Sequence, residues 1–410
     1  MLKLINKYLD KLESQGLATR EDAVFLALDA EFYSNKPLNG DAAVLQQVFD
    51  LMNIGSILLA KPEEPYWSII CEVIRHDPCC SNSGKIEPMD CETRTFFHDI
   101  PVVDEFSAGA VAGVLSHRKA AIIKYKGIIS YGTITPEQAF VSYSSICFSM
   151  FVKYFYDSLI YFSSCADRKE PVNEEYLKSF WAISENTGLI ASGNTVQRLS
   201  SVLPRDTKDV VSMMCDAGRA VVGAGLVDSH FGNISYVYGE DILISETGSS
   251  LDELEGCIDT VPLDGSSSVG ITASSELSAH RKIYEQTGLN AILHGHPRFS
   301  VIMSMHCIKE GCDRALCYKS CTEKRYVSGT PVVPGEIGTG PTGLMNTVPP
   351  AIGESGCVIV YGHGVFSAAR DTFRRPFDML SEVETKSREE YFRAVRSSLK
   401  HLFNGDSDRL

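Results

Sequence analysis

The chain alternates short continuous apolar runs with stretches of helical periodicity. Apolar residues recur at i, i+3, i+4 and i+7 in the N-terminal "MLKLINKYLDKLESQG", which predicts an amphipathic helix. "PRDTKDVVSMMCDAGRAVVGAGL" predicts another, started by Pro204 and Asp206 and closed by Gly223 and Gly225. "NISYVYGEDILIS" reads as two short strands about a Gly-Glu-Asp turn, and "SSELSAHRKIYEQTG" as a helix ending at Gly288. "NAILHGH" and "CVIVYGHG" are unbroken apolar runs of strand length, expected to be buried strands. A long final helix is expected in "FRRPFDMLSEVETKSREEYFRAVRSSLKHLF", kinked or started at Pro376. Strands alternating with helices indicate a layered α/β architecture.

The pattern occurs twice. "GSILLAKPEEPYWSII" aligns with "NAILHGHPRFSVIMSM", so that Pro62 faces Pro297. "CETRTFFHDIPVV" aligns with "CTEKRYVSGTPVV", and "AAIIKYKGIISYG" with "CVIVYGHGVFSAA", so that Lys126 faces His363. The span from Pro62 to Lys126 is 64 positions, and that from Pro297 to His363 is 66. Three matches in one order at near-equal span predict a tandem duplicated domain, divided into residues 1–195 and 196–410.

Bulk properties narrow the function. A length of 410 residues favours two domains. A net charge of -14 argues against a nucleic-acid partner. No apolar run reaches the roughly 18 residues of a membrane span. The N-terminus lacks the apolar centre of a signal peptide, so a cytoplasmic protein with no membrane partner is expected. The 13 cysteines are then expected as thiols or metal ligands rather than disulfides.

The second copy carries the chemistry. His294 and His296 stand at i and i+2 on a strand, so both side chains leave one face about 7 Å apart. His363 ends another apolar strand, and Glu276 lies on the helix preceding His294, with His280 one turn later. Three imidazoles and a carboxylate suit Zn²⁺, with Mn²⁺, Co²⁺ or Fe²⁺ as alternatives. His280 is expected to pack or to stand behind the ligands.

"GLVDSHFGNIS", "SSELSAH", "AILHGHP" and "YGHG" resemble the class II aldolase/adducin family of sugar-phosphate aldolases and epimerases, over roughly residues 205–390. The resemblance implies a three-layer α/β/α fold with a mostly antiparallel central sheet, present twice if the repeat holds. It implies metal ligation by His294, His296 and His363, with Glu276 ligating the metal or shuttling a proton. The adducin branch keeps the fold without the metal histidines, so their presence favours an enzyme. Gly232, Asn233, Thr247, Gly248, Ser274 and Ser275 fall where the family binds phosphate, and a helix start there favours an anion. His230 and Glu246 depart from the family pattern, where Thr and Pro are usual. Tyr391 is a proton-donor candidate by place only, with an exposed helical tyrosine as the alternative; Arg374 and Arg375 are expected to be solvated or to meet an anion.

The implied function is a metal-dependent lyase. It would cleave a small anionic hydroxycarbonyl substrate, with a sugar phosphate favoured, through a metal-stabilised enediolate. A 4-epimerase, a decarboxylase or a non-catalytic scaffold are the alternatives, and a homo-oligomer is expected from the family. Separately, Cys307, Cys312, Cys317 and Cys321 lie within 15 residues, a density open to a structural Zn²⁺ or an iron–sulfur cluster. Cys71, Cys79, Cys80 and Cys91 form a looser counterpart. In the first copy, Leu59, Lys61 and Lys126 replace the three histidines and Asp41 falls where Glu276 falls. No catalytic metal is expected there; an ammonium paired with Asp41 in a buried position is one reading, solvated lysines the other.

Overall fold

The computed structural model describes residues 1–188, 199–227, 230–309, 311–312, 316–321 and 323–400. Packing divides the chain into two units, Met1–Asp157 with Asn173–Thr187, and Ser158–Val172 with Gly188–Leu410.

The first unit opens with α1 (Leu2–Ser14), whose Ile5, Tyr8, Leu9 and Leu12 are buried at helical spacing. There follow β1 (Ala23–Leu28), β2 (Phe32–Ser34), α2 (Asp41–Leu51) and β3 (Ser56–Ala60). Next come α3 (Tyr66–His76), α4 (Pro78–Ser83), β4 (Lys85–Ile86), α5 (Cys91–Phe96) and β5 (Ile100–Val103). The unit continues with α6 (Ala108–Leu115), β6 (Ala120–Ile123), β7 (Gly127–Gly132) and the start of α7 (Pro136–Arg168), and includes α8 (Glu174–Glu185). Its sheet runs β2-β1-β3-β7-β6-β5-β4. β5 and β6 pair in parallel, and every other described pair is antiparallel.

The second unit contains α9 (Thr207–Gly223), capped by the Asp206 carboxylate accepting from Asp209 N, as the sequence predicts. Such a cap contributes about 1 kcal/mol. β8 (Asn233–Tyr238) and β9 (Asp241–Ser245) form the predicted hairpin, followed by β10 (Ile258–Pro262). α10 (Leu277–Thr287) ends at Gly288 in the left-handed conformation that glycine adopts without strain. β11 (Ala291–Gly295), α11 (Arg298–Met305), β12 (Arg325–Val327), β13 (Thr330–Val333) and α12 (Leu344–Ser355) follow. β14 (Cys357–Val360), β15 (Gly364–Ala369) and α13 (Arg374–Lys400) complete it. The sheet order is β10-β9-β8-β11-β15-β14-β13-β12, with β13 and β14 the parallel pair.

With β10 set aside, the two orders coincide strand for strand, including the position of the parallel pair. The registers coincide as well. Leu59 pairs with Val24 and Ile129, and His294 pairs with Asn233 and Phe366. Leu59 opposite His294 and Ile129 opposite Phe366 are the correspondences that the sequence alignment sets, with Pro62 opposite Pro297 and Lys126 opposite His363. Among the described residues, no helix is long and apolar enough to cross a membrane.

Candidate metal centre

β11 delivers His294 to the sheet centre, and His296 follows it directly. The turn between β14 and β15 delivers His363. All three rings are buried, and their ligand atoms lie within 4.8 Å of one another. Among the described residues they are the group of three or more histidine, cysteine or acidic side chains that converges in this way. His294 Nε2 stands 3.0 Å from His296 Nε2 and 3.2 Å from His363 Nε2. A tetrahedral ion with bonds of about 2.0 to 2.1 Å holds its nitrogens at similar separations, so the donor set fits a divalent metal. His294 Nδ1 donates to Val365 O at 3.1 Å, which fixes the tautomer and leaves the Nε2 lone pair facing the other rings. Burial pushes the His294 imidazole down to about 4 and that of His296 well below the ordinary value, so both rings are neutral at pH 7.

Main chain presses tightly on this group. A Cβ on Gly364 would come 2.5 Å from Gly295 O, 2.8 Å from His294 Cε1 and 2.9 Å from His296 Cδ2. One on Gly232, at φ +83°, would come 2.4 Å from His294 O. Phe366 stacks on His294 at 4.0 Å, and Phe231 stacks on His296 at 5.7 Å.

Glu276 caps α10 from the residue before its first turn, rather than lying within the helix as the sequence suggested. Its Oε1 is 3.3 Å from His363 Nε2, its Oε2 is 3.7 Å from His294 Nε2, and Asn233 Nδ2 donates to it at 2.7 Å. Burial would raise this carboxyl, but His294, His363 and Asn233 outweigh burial and hold it well below the usual carboxylate range. Asn233 therefore serves to orient the acid, a role its place in the sequence did not disclose.

The remaining predicted residues divide. His230 is buried and its Nδ1 stands 3.2 Å from Gly248 O, joining two of the segments expected to bind an anion. Thr247 donates its amide to Thr272 O and its hydroxyl to Ala273 O. Ser274 N donates to Ser245 O, so that amide is engaged in the fold, while Ser275 is exposed. Glu246 bridges Ala273. Arg374 and Arg375 are exposed. Tyr391 is fully buried against Phe299 and Phe392, at 5.3 and 5.1 Å, which corrects the expectation of an exposed helical tyrosine. The helix face that carries it is turned inward.

The cysteines are free thiols, and among the described residues neither Cys307, Cys312, Cys317 and Cys321 nor Cys71, Cys79, Cys80 and Cys91 bring three sulfurs within 4.8 Å of one another. Burial, then the neighbouring Cys321 thiol, raises the Cys317 thiol, and burial pushes Cys91 up to about 12.

Sequence reasoning missed Glu384. Its carboxylate accepts from Phe299 N and Ser300 N, and from the Ser300 hydroxyl, all at 2.8 Å, anchoring the helix that follows His296. The available signal was an acid on the apolar stripe of α13, seven positions after Phe377 and four after Leu380.

Residues 212–390 match the profile of the class II aldolase and adducin N-terminal domain. This segment is similar to the class II aldolase and adducin family over those residues. Solved structures similar to this chain include L-fuculose-1-phosphate aldolase from Thermus thermophilus, at 21% identity over 48% of this chain and 96% of that one, with a TM-score of 0.36. YgbL from Klebsiella pneumoniae, described as a putative aldolase/epimerase/decarboxylase, is 21% identical over 50% of this chain and 99% of that one, with a TM-score of 0.36. The N-terminal class II aldolase domain of a Thermoplasma acidophilum protein is 12% identical over 47% of this chain and 98% of that one, with a TM-score of 0.33. No curated protein matches the chain. The matched segment takes in the histidine group, Glu276, Asn233 and most of α13.

Proposed function

We propose that the second unit is a metal-dependent lyase that cleaves a small anionic hydroxycarbonyl compound, with a sugar phosphate the favoured substrate. The observation that carries this reading is the convergence of His294, His296 and His363 beside the Glu276 carboxylate. The three imidazoles would hold a divalent ion, Zn²⁺ before Mn²⁺, Co²⁺ or Fe²⁺. Such an ion supplies Lewis-acid polarisation of a carbonyl and its neighbouring hydroxyl. Glu276, ionised and held by Asn233 and His363, is placed to ligate or to move a proton. Gly232, His230, Gly248 and Ser275 line the loops that would receive the substrate's anionic group.

The first unit reads as a duplicated copy without metal chemistry, and each unit as a three-layer α/β/α sandwich. The shared strand order and register support the duplication. In the first unit, Lys126 Nζ takes the place of the His363 ligand and pairs with Asp41. A homo-oligomer in the cytoplasm completes the reading.

A screen of phosphorylated and carboxylated hydroxycarbonyls against metal-reconstituted protein tests it. Two carbonyl fragments as products support the lyase; an isomer or CO₂ moves the reading to the epimerase or decarboxylase. Full turnover by His294→Ala would sink the metal reading, and a protein that binds metal but turns over nothing in the screen would favour a scaffold.

A further inference from the structure

Position by position, the first unit keeps what the shared topology needs and lacks what surrounds the histidines. Gly127 opens β7 as Gly364 opens β15. A Cβ on Gly127 would come 2.2 Å from Ala60 O, just as one on Gly364 would come 2.5 Å from Gly295 O. The close strand crossing is thus retained where no histidine needs it. Ile57 and Val48 are fully buried, as are their counterparts Ile292 and Ile283.

The losses reach beyond the ligands. In the second unit Ser235 Oγ stands 2.6 Å from His280 Nδ1 and 2.5 Å from the Tyr284 hydroxyl, with all three side chains buried. His280 Nε2 is buried with no hydrogen-bond partner. The registers place Leu26 where Ser235 stands, and the helix alignment places Leu45 and Phe49 where His280 and Tyr284 stand. Leu26 and Leu45 are fully buried in an apolar core that Phe49 packs against. A buried polar trio with an unpaired nitrogen is a poor source of stability beside such a core. The fold accepts the apolar set in one unit, so the trio in the other answers to something else.

What it adjoins is the metal centre. The His280 ring meets Phe366 edge-on at 5.8 Å, and Phe366 lies flat on His294 at 4.0 Å. Glu276 stands one turn before His280 at the start of the same helix. We propose that Ser235, His280 and Tyr284 form a positioning network for His294 and Glu276, tying α10 to β8 so that the acid and the Phe366-backed imidazole keep their relative placement. This rests on the metal reading of the second unit.

The test copies the first unit into the second. A Ser235→Leu/His280→Leu/Tyr284→Phe variant and a His280→Leu single variant are stripped of metal with EDTA. Each is melted, then titrated with Co²⁺ by calorimetry and by its visible spectrum. The expected result is a metal-free melting temperature at or above that of the wild type, with Co²⁺ affinity weakened on the order of tenfold or more and a shifted spectrum. Should the triple variant be overpacked and fail to fold, the single variant carries the same readout. Unchanged affinity and spectrum in a folded variant overturn the network, whatever happens to the melting temperature. A wild type that takes up no Co²⁺ overturns the metal reading itself, an outcome distinct from wild type and variants binding alike.

Discussion

Lys126 Nζ lies 2.7 Å from Asp41 Oδ2, at positions corresponding to His363 and Glu276. The acid-to-ligand pairing survives with an ammonium in place of an imidazole. The pair is not buried, contrary to one sequence reading, since its side chains are 33% and 42% exposed. Lys126 also lies over the Phe106 ring at 4.7 Å, and Lys61 over Trp67 at 5.4 Å.

A pair this exposed contributes at most about 1 kcal/mol. Lys126→Ala is therefore expected to lower stability by no more than that in denaturant unfolding, and to leave the metal content untouched. A loss of bound metal in this variant would mean that the first unit participates in ion binding.

Metal content is expected at one divalent ion per chain, set by the second unit. His294→Ala removes a ligand fixed by Val365 O and backed by Phe366, and is expected to abolish stoichiometric binding in elemental analysis. Cys307→Ser/Cys312→Ser is expected to leave the content at one, because those sulfurs do not converge.

Gly364→Ala puts a methyl group within 2.5 Å of Gly295 O, a main-chain atom that cannot swing aside. Destabilisation of about 1 to 3 kcal/mol is expected, with weakened metal binding, because His294 and His296 are also in the way. Gly127→Ala meets Ala60 O and is expected to destabilise similarly without affecting metal.

Burial pushes His280 down to about 4, partly offset by Glu276, whereas the unfolded chain protonates its histidines near 6.5. As the pH falls below about 6.5, the unfolded chain binds the proton first. Stability that is constant above that pH is then lost down to about 4, by roughly 3 kcal/mol for this residue. Urea unfolding of metal-free protein at pH 7.5 and 4.5 checks this, and His280→Leu should show the shallower decline. An equal decline in both proteins would rule His280 out as its source.

The parts of the site legible in the sequence were those carried by short local patterns. His294 and His296 share a strand, His363 ends another, and both strands are too apolar to lie anywhere but the sheet interior. The repeat was legible because Pro62 and Lys126 kept their spacing after the ligands changed. Tyr391 was misplaced because place along a helix does not disclose which face turns inward. Ser235 and Tyr284 passed unnoticed, since the bonds of Ser235 to His280 and Tyr284 join a strand to a helix more than forty positions away. Asn233 was singled out, but its partner Glu276 is equally remote, and only the closed sheet brings the two together.

The glycine pinch retained in both units has a consequence for how such a chain can change. Where strands cross at Gly127 and Gly364, the nearest atom in each unit is a main-chain carbonyl oxygen, and that backbone contact does not depend on which side chains surround it. Side chains around it can change, from imidazoles to leucine and lysine, while the crossing stays. A reverse substitution in the first unit would therefore begin from the same close strand crossing, with its backbone already in the register that the second unit uses.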